Sequence, residues 1–379
     1  MKKNVLFLIN SLSVGGAEKV LINLLNNIDY EKFNVSLITV FSSNVLADEL
    51  SNRIDYRQLF TFKNKYINGL LYKVLSKIFS SKMLYKFFIK DTYDIEVAFL
   101  EGLPTKIISG SNQNQSRRIA WVHTDLSKYL DSDYCFTNIE EQKFCYEQFD
   151  EIICVSEGTK RGFEKRFKIN KIPRVCINPI DSESIQKLGS LNKNNNLVKM
   201  NEETFYYIAV GRLVKQKGFD LLIRSMHLLN ADDQCKNFKL IIIGEGPERK
   251  FLAELINELN LNNAVQLLGY IKNPYPYIKN ADSLVVSSKV EGYCSVIVEA
   301  FVLDTPVIAA KAVGVGEVIK NGEFGLYVEN DEIALYEGMK KLLLDKSLLN
   351  HYKKQAEIKK QEYVFKQSIN RMERILIGK

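Results

Sequence analysis

Two glutamates, Glu291 and Glu299, lie eight positions apart in a segment whose pattern suits a ligand site. Glu291 stands in a loop after a short apolar run, 284–286, which is predicted as a buried strand. Glu299 stands in an apolar segment that begins at Ser295 and is predicted as a short buried helix. Ligands of open parallel sheets bind outside the carboxyl ends of the strands, where helix N-termini offer unpaired N–H groups to anions. We therefore expect these glutamates to bracket a phosphate-sized site and to bind hydroxyl groups on either side of it.

A second group of candidate residues occupies the loop GRLVKQKG, 211–218, between a predicted strand and a predicted helix. Arginine offers a forked set of donors and lysine a mobile point charge, so Arg212 and Lys217 suit a pyrophosphate. Their chemical task would be to neutralise the negative charge of a pyrophosphate. The alternative is a solvated basic turn, which applies mostly to Lys215.

Gly15 and Gly16 join a strand predicted at 5–9 to a helix predicted at 17–25. Glycine lets the backbone pass close to a ligand, but the pair also suits an ordinary strand-to-helix turn. A further strand at 35–40 completes a β-α-β unit and so predicts a parallel sheet. No G-x-G-x-x-G follows the first strand, which disfavours a dinucleotide oxidoreductase.

His123 is one of three histidines and falls at the end of a predicted strand, 118–125. The other two, His227 and His351, fall in helical patterns. The end of a strand is where the ligand cleft of an α/β domain is expected, so His123 is a candidate site residue. A single histidine with a purely structural role is the alternative.

These motifs together resemble those of the retaining glycosyltransferases of family 4, which have the GT-B fold. GGAEKV, VGRLVKQKGFDLLI and SSKVEGYCSVIVEA occur in the family's order, and the resemblance covers nearly the whole chain. It implies an α/β protein of two Rossmann-like domains that face a central cleft. Residues 1–181 would form the acceptor-binding domain and 182–362 the nucleotide-sugar-binding domain, and 363–379 would be a helix that crosses back to the first domain.

The resemblance also implies a role for each matching residue. Arg212 and Lys217 would bind the donor diphosphate and stabilise the developing charge. Glu291 and His123 would position the transferred sugar, and Glu299 would bind the ribose hydroxyls. The remaining donor-binding residues that it implies are Gly15, Gly16, Gly211, Gly246, Tyr270, Ile271, Gly292, Tyr293, Cys294, Ser295 and Val296. Because the loop after Glu291-Gly292 departs from the family's usual pattern, sugar specificity does not carry over.

Composition bounds the class of protein. At 379 residues, with 46% hydrophobic and 26% charged residues, the chain suits two soluble domains. Its six cysteines show no metal-binding spacing, which favours reduced thiols in a cytoplasm and predicts no metal site. The family likewise needs neither metal nor another cofactor. No apolar run has a length suited to spanning a bilayer.

Residues 63–90 contain seven lysines and no acidic residue. Apolar residues recur there at helical spacing, which predicts a basic amphipathic helix. Such a helix can lie in the headgroup layer of an anionic membrane. The alternative is an ordinary surface helix whose apolar face packs on the sheet. We expect membrane contact, because a solvated helix usually carries carboxylates for ion pairs.

The resemblance implies transfer of a hexosyl or N-acetylhexosaminyl group, with a UDP-sugar as the favoured donor. The acceptor would be a hydroxyl of a lipid-linked or saccharide molecule in bacterial capsule, exopolysaccharide or lipopolysaccharide assembly, at the inner face of the cytoplasmic membrane. Two alternatives remain, a GT-B nucleotide-sugar epimerase and a non-catalytic nucleotide-sugar-binding module. Nucleic-acid binding is disfavoured despite the net charge of +7, because no recognisable reading motif accompanies the basic residues.

Overall fold

The computed structural model describes the chain except for residues 14, 42–44, 62–64, 129, 192–199 and 202, and except for the side chains at 65–67 and 131. The described chain forms two units, the first comprising 1–179 and 366–379 and the second 180–365. One stretch with a prediction attached, the start of the lysine-rich segment at 63–64, lies outside the described residues.

The first unit is built on a seven-stranded parallel sheet with the order β3-β2-β1-β4-β5-β6-β7. The central strand β1 is apolar on both faces from Val5 to Ile9, all of them fully buried, because helices cover both sides of a parallel sheet. The strands are β1 Lys3–Ile9, β2 Phe33–Phe41, β3 Asp55–Phe60, β4 Ile95–Ala98, β5 Arg117–Val122, β6 Glu151–Cys154 and β7 Arg174–Val175.

Six helices of the first unit lie between its strands, and one comes from the end of the chain. They are α1 Gly16–Asn27, α2 Lys65–Ile78, α3 Ser81–Phe88, α4 Leu103–Ser109, α5 Ile139–Glu147, α6 Glu157–Arg166 and the C-terminal α15 Phe365–Leu376, with 3₁₀ turns at Ala47–Glu49 and Asp131–Cys135. The half-buried pair Glu373–Lys32 attaches α15, since the Glu373 carboxylate accepts the Asp29 N–H at 2.7 Å and lies 3.1 Å from the Lys32 ammonium.

The second unit has a six-stranded parallel sheet with the order β10-β9-β8-β11-β12-β13. Its strands are β8 Phe205–Val210, β9 Phe238–Ile243, β10 Val265–Gly269, β11 Ser283–Val286, β12 Val307–Ala310 and β13 Leu326–Val328. Its helices are α7 Ser182–Gly189, α8 Phe219–Ala231, α9 Arg249–Glu258, α10 Tyr275–Asn280, α11 Ser295–Val302, α12 Val315–Val318, α13 Glu332–Leu344 and α14 Lys346–Lys359, with 3₁₀ turns at Lys215–Lys217, Lys320–Gly322 and Lys360–Glu362.

In both sheets, the order in which successive strands are added reverses at one point. In the first, β1 lies between β2 and β4; in the second, β8 lies between β9 and β11. In the first sheet, the loops that follow the neighbouring strands β1 and β4 therefore run toward opposite faces of the sheet. The same holds for the loops that follow β8 and β11 in the second sheet. Such a switch point opens the crevice in which α/β proteins bind ligands.

The lysine-rich segment differs from the single amphipathic helix predicted for it. It forms two helices, because Ser80 caps α3 by accepting the Met83 N–H with its side chain and so starts a new helix after Ile78. The predicted apolar face also divides: Leu75 is buried in the core, whereas Leu70 is 65% exposed and Ile78 is 69% exposed. In the described part of the chain, no helix has both the length and the apolar character to cross a bilayer.

Candidate donor site

The switch point of the second sheet brings together the two loops that carry the charged candidate residues. β8 leads into 211–218 and β11 into 287–294, and the two strands pair directly, with Leu284 opposite Ile208. Lys217 in the first loop and Glu291 in the second are 74 positions apart along the chain, so their proximity depends on the strand order.

Lys217 and Glu291 form an ion pair at this point. The Lys217 Nζ lies 2.5 Å from Glu291 Oε1, and the Ser288 hydroxyl donates to the same oxygen at 2.6 Å. The lysine side chain keeps 25% of its surface exposed and the glutamate 12%, so the pair is half-buried. Ser288 is a contributor that the sequence reasoning missed; its only signal was its position at the end of β11.

The protonation state of Lys217 follows from that pairing. Partial burial lowers the pKa of the ammonium, but the neighbouring Glu291 carboxylate more than offsets this, so the pKa of Lys217 is raised. The ammonium is therefore charged throughout the physiological pH range.

Close backbone packing holds Lys217 in this position. Gly218 adopts φ 62° and ψ 29°, and a Cβ there would lie 2.2 Å from the carbonyl oxygen of Ser287. The Ser287 hydroxyl donates to the Lys217 carbonyl at 2.9 Å, and the Lys289 N–H donates to the Gln216 carbonyl at 2.7 Å. Glycine is needed because the two loops approach backbone to backbone.

Arg212 lies at the start of the same loop, and its side chain is exposed. In the described ranges, no carboxylate forms an ion pair with it. Its charge acts on Lys217, where it lowers the pKa slightly against the larger effect of Glu291. The loop thus holds one cation that is already paired and a second that remains open to an anionic ligand.

Gly246 and Gly211 differ in how closely their surroundings would approach a side chain. A Cβ on Gly246 would lie 2.3 Å from the Leu213 carbonyl, so packing between two loops of the unit already accounts for that glycine. A Cβ on Gly211 would meet the Lys217 side chain at 3.4 Å, which is an ordinary contact. The donor-binding roles predicted for both remain predictions.

Helix α11 presents one partly exposed side to solvent. Ser295, Val296 and Glu299 are half-buried and lie on that side, while Cys294 before it is buried. Burial raises the pKa of the Cys294 thiol well above its usual value, so this cysteine is a packing residue and no thiolate. Gly292 and Tyr293 complete the loop between Glu291 and the helix.

Tyr270 and Ile271 follow β10, which is the outer strand of the sheet, two strands away from β8. Tyr270 is exposed, and Ile271 packs partly against the core that includes α11. They lie at the carboxyl edge of the sheet, and their contact with a base remains a prediction.

The first unit carries the other candidate residues. Gly15 caps the N-terminus of α1 with an extended backbone, φ −156° and ψ 167°, and Gly16 is the first residue of the helix. A Cβ on Gly15 would lie 2.2 Å from Oε2 of Glu18, whose carboxylate also accepts the Ser13 hydroxyl at 3.0 Å. The Glu18 side chain thus packs against the glycine loop, and the sequence motifs did not single this residue out.

His123 directly follows β5 and is 8% exposed. Its ring packs on Phe99 with the ring centroids 4.9 Å apart. Its Nε2 atom is buried without a hydrogen-bond partner among the described residues. Burial lowers the pKa of His123 to about 3, so the imidazole is neutral at physiological pH and can exchange a hydrogen bond with a neutral hydroxyl.

Among the residues that the structure describes, no three or more histidine, cysteine, aspartate or glutamate side chains form a group suited to a metal ion. That the reaction needs no metal remains a prediction.

Comparison with known proteins gives the family. Residues 192–359 match the model for glycosyl transferases group 1. An uncharacterized glycosyltransferase of Methanocaldococcus jannaschii is 31% identical over 270 residues, which cover 69% of this chain and 66% of that protein. The chain belongs to this family.

This group 1 glycosyltransferase also resembles longer-matched relatives. The N-acetylgalactosamine-N,N'-diacetylbacillosaminyl-diphospho-undecaprenol 4-alpha-N-acetylgalactosaminyltransferase of Campylobacter jejuni is 28% identical over 367 residues, or 92% of each chain. Among solved structures, Anabaena HepE in complex with UDP and glucose superposes with a TM-score of 0.75 at 19% identity over 100% of both chains. The glycosyltransferase has the GT-B fold, with two Rossmann-like parallel sheets, as predicted.

Proposed function

We propose that this glycosyltransferase moves a hexosyl or N-acetylhexosaminyl group from a UDP-sugar to a hydroxyl of a lipid-linked or saccharide acceptor, with retention at the anomeric carbon. The observation that carries the proposal is the Lys217–Glu291 pair at the switch point of the second sheet, beside the exposed Arg212. Two cations and a carboxylate on neighbouring loops at a switch point suit a diphosphate that is joined to a hydroxyl-bearing sugar.

In the proposed reaction, the bond between the anomeric carbon and the diphosphate oxygen breaks while the acceptor oxygen bonds to the same face of that carbon. The departing phosphate oxygen takes the acceptor proton. Arg212 and Lys217 stabilise the negative charge that develops on the diphosphate. Glu291 and His123 position the sugar through its hydroxyl groups, and Glu299 binds the ribose. The cations supply the charge that a metal ion would otherwise supply, so we propose that no metal or other cofactor takes part.

Related proteins support the choice of donor and acceptor. HepE was solved with UDP and glucose, which favours a uridine nucleotide. The Campylobacter relative is named as an N-acetylgalactosaminyltransferase that acts on a diphospho-undecaprenol, which favours a lipid-linked acceptor. A capsular polysaccharide glycosyltransferase of Staphylococcus aureus, 30% identical over 205 residues, favours surface polysaccharide assembly.

The donor proposal predicts a selective gain in thermal stability. We expect UDP and one UDP-sugar to raise the melting temperature of the protein, while GDP and ADP at the same concentration leave it unchanged, because a ligand stabilises the state that binds it. The measurement is a thermal-shift series with UDP, GDP, ADP and their common sugars. A larger shift with GDP or ADP would contradict the uridine assignment.

UDP release separates transfer from the alternatives. A transferase releases UDP faster when an acceptor is present, an epimerase yields a free sugar without acceptor, and a binding module releases none. The assay therefore uses the stabilising donor with and without undecaprenyl-diphosphate-linked saccharide.

We also propose that the enzyme works at the inner face of the cytoplasmic membrane through α2 and α3. Leu70, Ile78, Met83 and Phe87 are exposed apolar side chains on these helices. Exposed lysines accompany them, among them Lys73, Lys82, Lys86 and Lys90. Apolar side chains interspersed with lysines suit the headgroup region of an anionic bilayer.

Charge reversal tests the membrane proposal. We expect Lys73→Glu/Lys82→Glu/Lys86→Glu to weaken sedimentation with phosphatidylglycerol-containing liposomes by about 100-fold, since each basic residue near an anionic surface contributes roughly 1 kcal/mol. Lys77 is left unchanged because its ammonium donates to the Phe136 carbonyl and anchors α2.

The matched control reverses three exposed lysines of α14, namely Lys346, Lys353 and Lys354, and so changes the net charge equally. Equal loss of binding in both triple variants would show that net charge alone attracts the protein to the vesicles. Binding of the α2–α3 variant at the parent level would contradict the proposal.

A further inference from the structure

Glu101 is a buried carboxylate beyond the carboxyl end of β4, and no motif of the sequence pointed to it. It is 6% exposed. β4 lies between β1 and β5, so Glu101 emerges between the strand that leads to the glycine loop and the strand that ends before His123. This is the switch point of the first sheet.

One oxygen of Glu101 holds the backbone of His123. Oε1 accepts the N–H of His123 at 2.6 Å, the N–H of Thr124 at 2.6 Å and the Thr124 hydroxyl at 2.9 Å. The two peptide N–H groups flank the Cα of His123. A single acceptor shared between them therefore restricts both backbone dihedrals of that residue.

The same chain segment also holds the ring of His123. Phe99, two residues before Glu101, packs on the imidazole at 4.9 Å between centroids and on Trp121 at 5.2 Å. The segment 99–102 thus contacts both the backbone and the imidazole ring of His123.

Glu101 is itself well fixed. The next residue, Gly102, has φ 89°, and a Cβ there would lie 2.9 Å from the Cys135 sulfur. The Gly102 carbonyl accepts the Lys106 N–H at 2.9 Å, and the Leu100 carbonyl accepts the Thr105 hydroxyl at 3.0 Å. These bonds tie the backbone on either side of Glu101 to the first turn of α4.

We propose that Glu101 is a positioning residue, whose Oε1 atom fixes the backbone of His123 so that the imidazole meets the sugar of the bound donor. This inference rests on the proposed function, in which His123 contacts that sugar. The three bonds need an acceptor oxygen and make no use of the second carboxylate oxygen. Glutamine, whose amide oxygen can accept the same three bonds, should therefore replace glutamate.

A double-mutant cycle with His123 tests the inference. The parent is compared with Glu101→Ala, His123→Ala, the double variant and Glu101→Gln. We expect Glu101→Ala to lower kcat for UDP release from the UDP-sugar by about 10- to 100-fold, as for other displacements of positioned groups. Glu101→Gln should retain the parent rate. The melting-temperature shift with UDP, which lacks the sugar, should be the same in all variants.

The decisive comparison is the effect of Glu101→Ala in the His123→Ala background. We expect no further loss there, because the residue through which Glu101 acts is gone. The same loss in both backgrounds would overturn the inference, as would a Glu101→Gln variant as slow as Glu101→Ala. If Glu101→Ala melts below the assay temperature, Glu101→Asp, which withdraws the carboxylate by one methylene, takes its place in the cycle.

Failure of the proposed function gives a different result. If His123→Ala turns over at the parent rate, the proposed contact between His123 and the sugar is wrong, and the inference falls with it. If His123→Ala is slow and Glu101→Ala is not, the proposed function stands and only the inference fails.

Discussion

Replacing Lys217 by alanine is expected to lower kcat for sugar transfer by about 100- to 1,000-fold, the usual effect of removing one group that stabilises developing charge. The loss has two physical causes. The ammonium no longer neutralises the leaving diphosphate, and Glu291, which pairs with it at 2.5 Å, is left with the Ser288 hydroxyl as its remaining described partner. Steady-state measurement of UDP release with saturating donor checks the expectation.

Lys215 offers a matched control for this experiment. It lies in the same 3₁₀ turn, two residues away, and its side chain is exposed. We expect Lys215→Ala to retain the parent rate, because an exposed lysine contributes little beyond general charge. Equal losses in the two variants would show that the turn as a whole, or its net charge, matters more than the Lys217–Glu291 pair. A Lys217→Ala variant with the parent rate would contradict the proposed site.

Replacing Gly218 by alanine is expected to lower the free energy of unfolding by about 2 to 4 kcal/mol, as the sum of left-handed backbone strain and a forced displacement of packed atoms. Gly218 has φ 62°, and the new Cβ would lie 2.2 Å from the Ser287 carbonyl oxygen, which is backbone and cannot rotate away. Separation of these loops would also move Lys217 from Glu291. Urea unfolding followed by circular dichroism gives the stability, and the UDP-induced melting shift reports the site.

Gly69→Ala is the control for the glycine substitution itself. Gly69 lies in α2, and a Cβ there meets nothing within 4 Å. Alanine should therefore stabilise the helix by about 0.5 to 1 kcal/mol, the opposite sign to Gly218→Ala. If Gly218→Ala unfolds with the same urea midpoint as the parent, the loops after β8 and β11 do not stay in backbone contact in solution.

The sequence alone predicted the class of fold, because local patterns carry that information. Continuous apolar runs mark buried parallel strands, and the change to helical spacing after each loop marks the β-α-β units. The run from Val5 to Ile9 and the loop 211–218 with the helix after it could be assigned in this way. The ordered motifs added the resemblance to glycosyltransferases, and the match of 192–359 to the model for glycosyl transferases group 1 confirms that class.

The lysine-rich segment shows where local pattern was insufficient. Its helical spacing predicted one helix with one apolar face, but Ser80 starts a second helix. Periodicity also could not tell that Leu75 enters the core while Leu70 and Ile78 stay exposed. Which apolar residue is buried depends on what packs against the helix. The contacting residues come from distant parts of the chain, such as Phe136, whose carbonyl accepts a hydrogen bond from Lys77.

For this protein, the sequence by itself determined the residue types of the candidate site and the strand after which each of them lies. The tertiary structure alone decided which of these loops meet, because the strand order makes β8 and β11 neighbours in one sheet and β4 and β5 neighbours in the other. The Lys217–Glu291 pair, the backbone contact at Gly218 and the attachment of His123 to Glu101 all arise from that order. Local periodicity describes how a segment folds, whereas adjacency in a sheet depends on how the whole chain buries its strands.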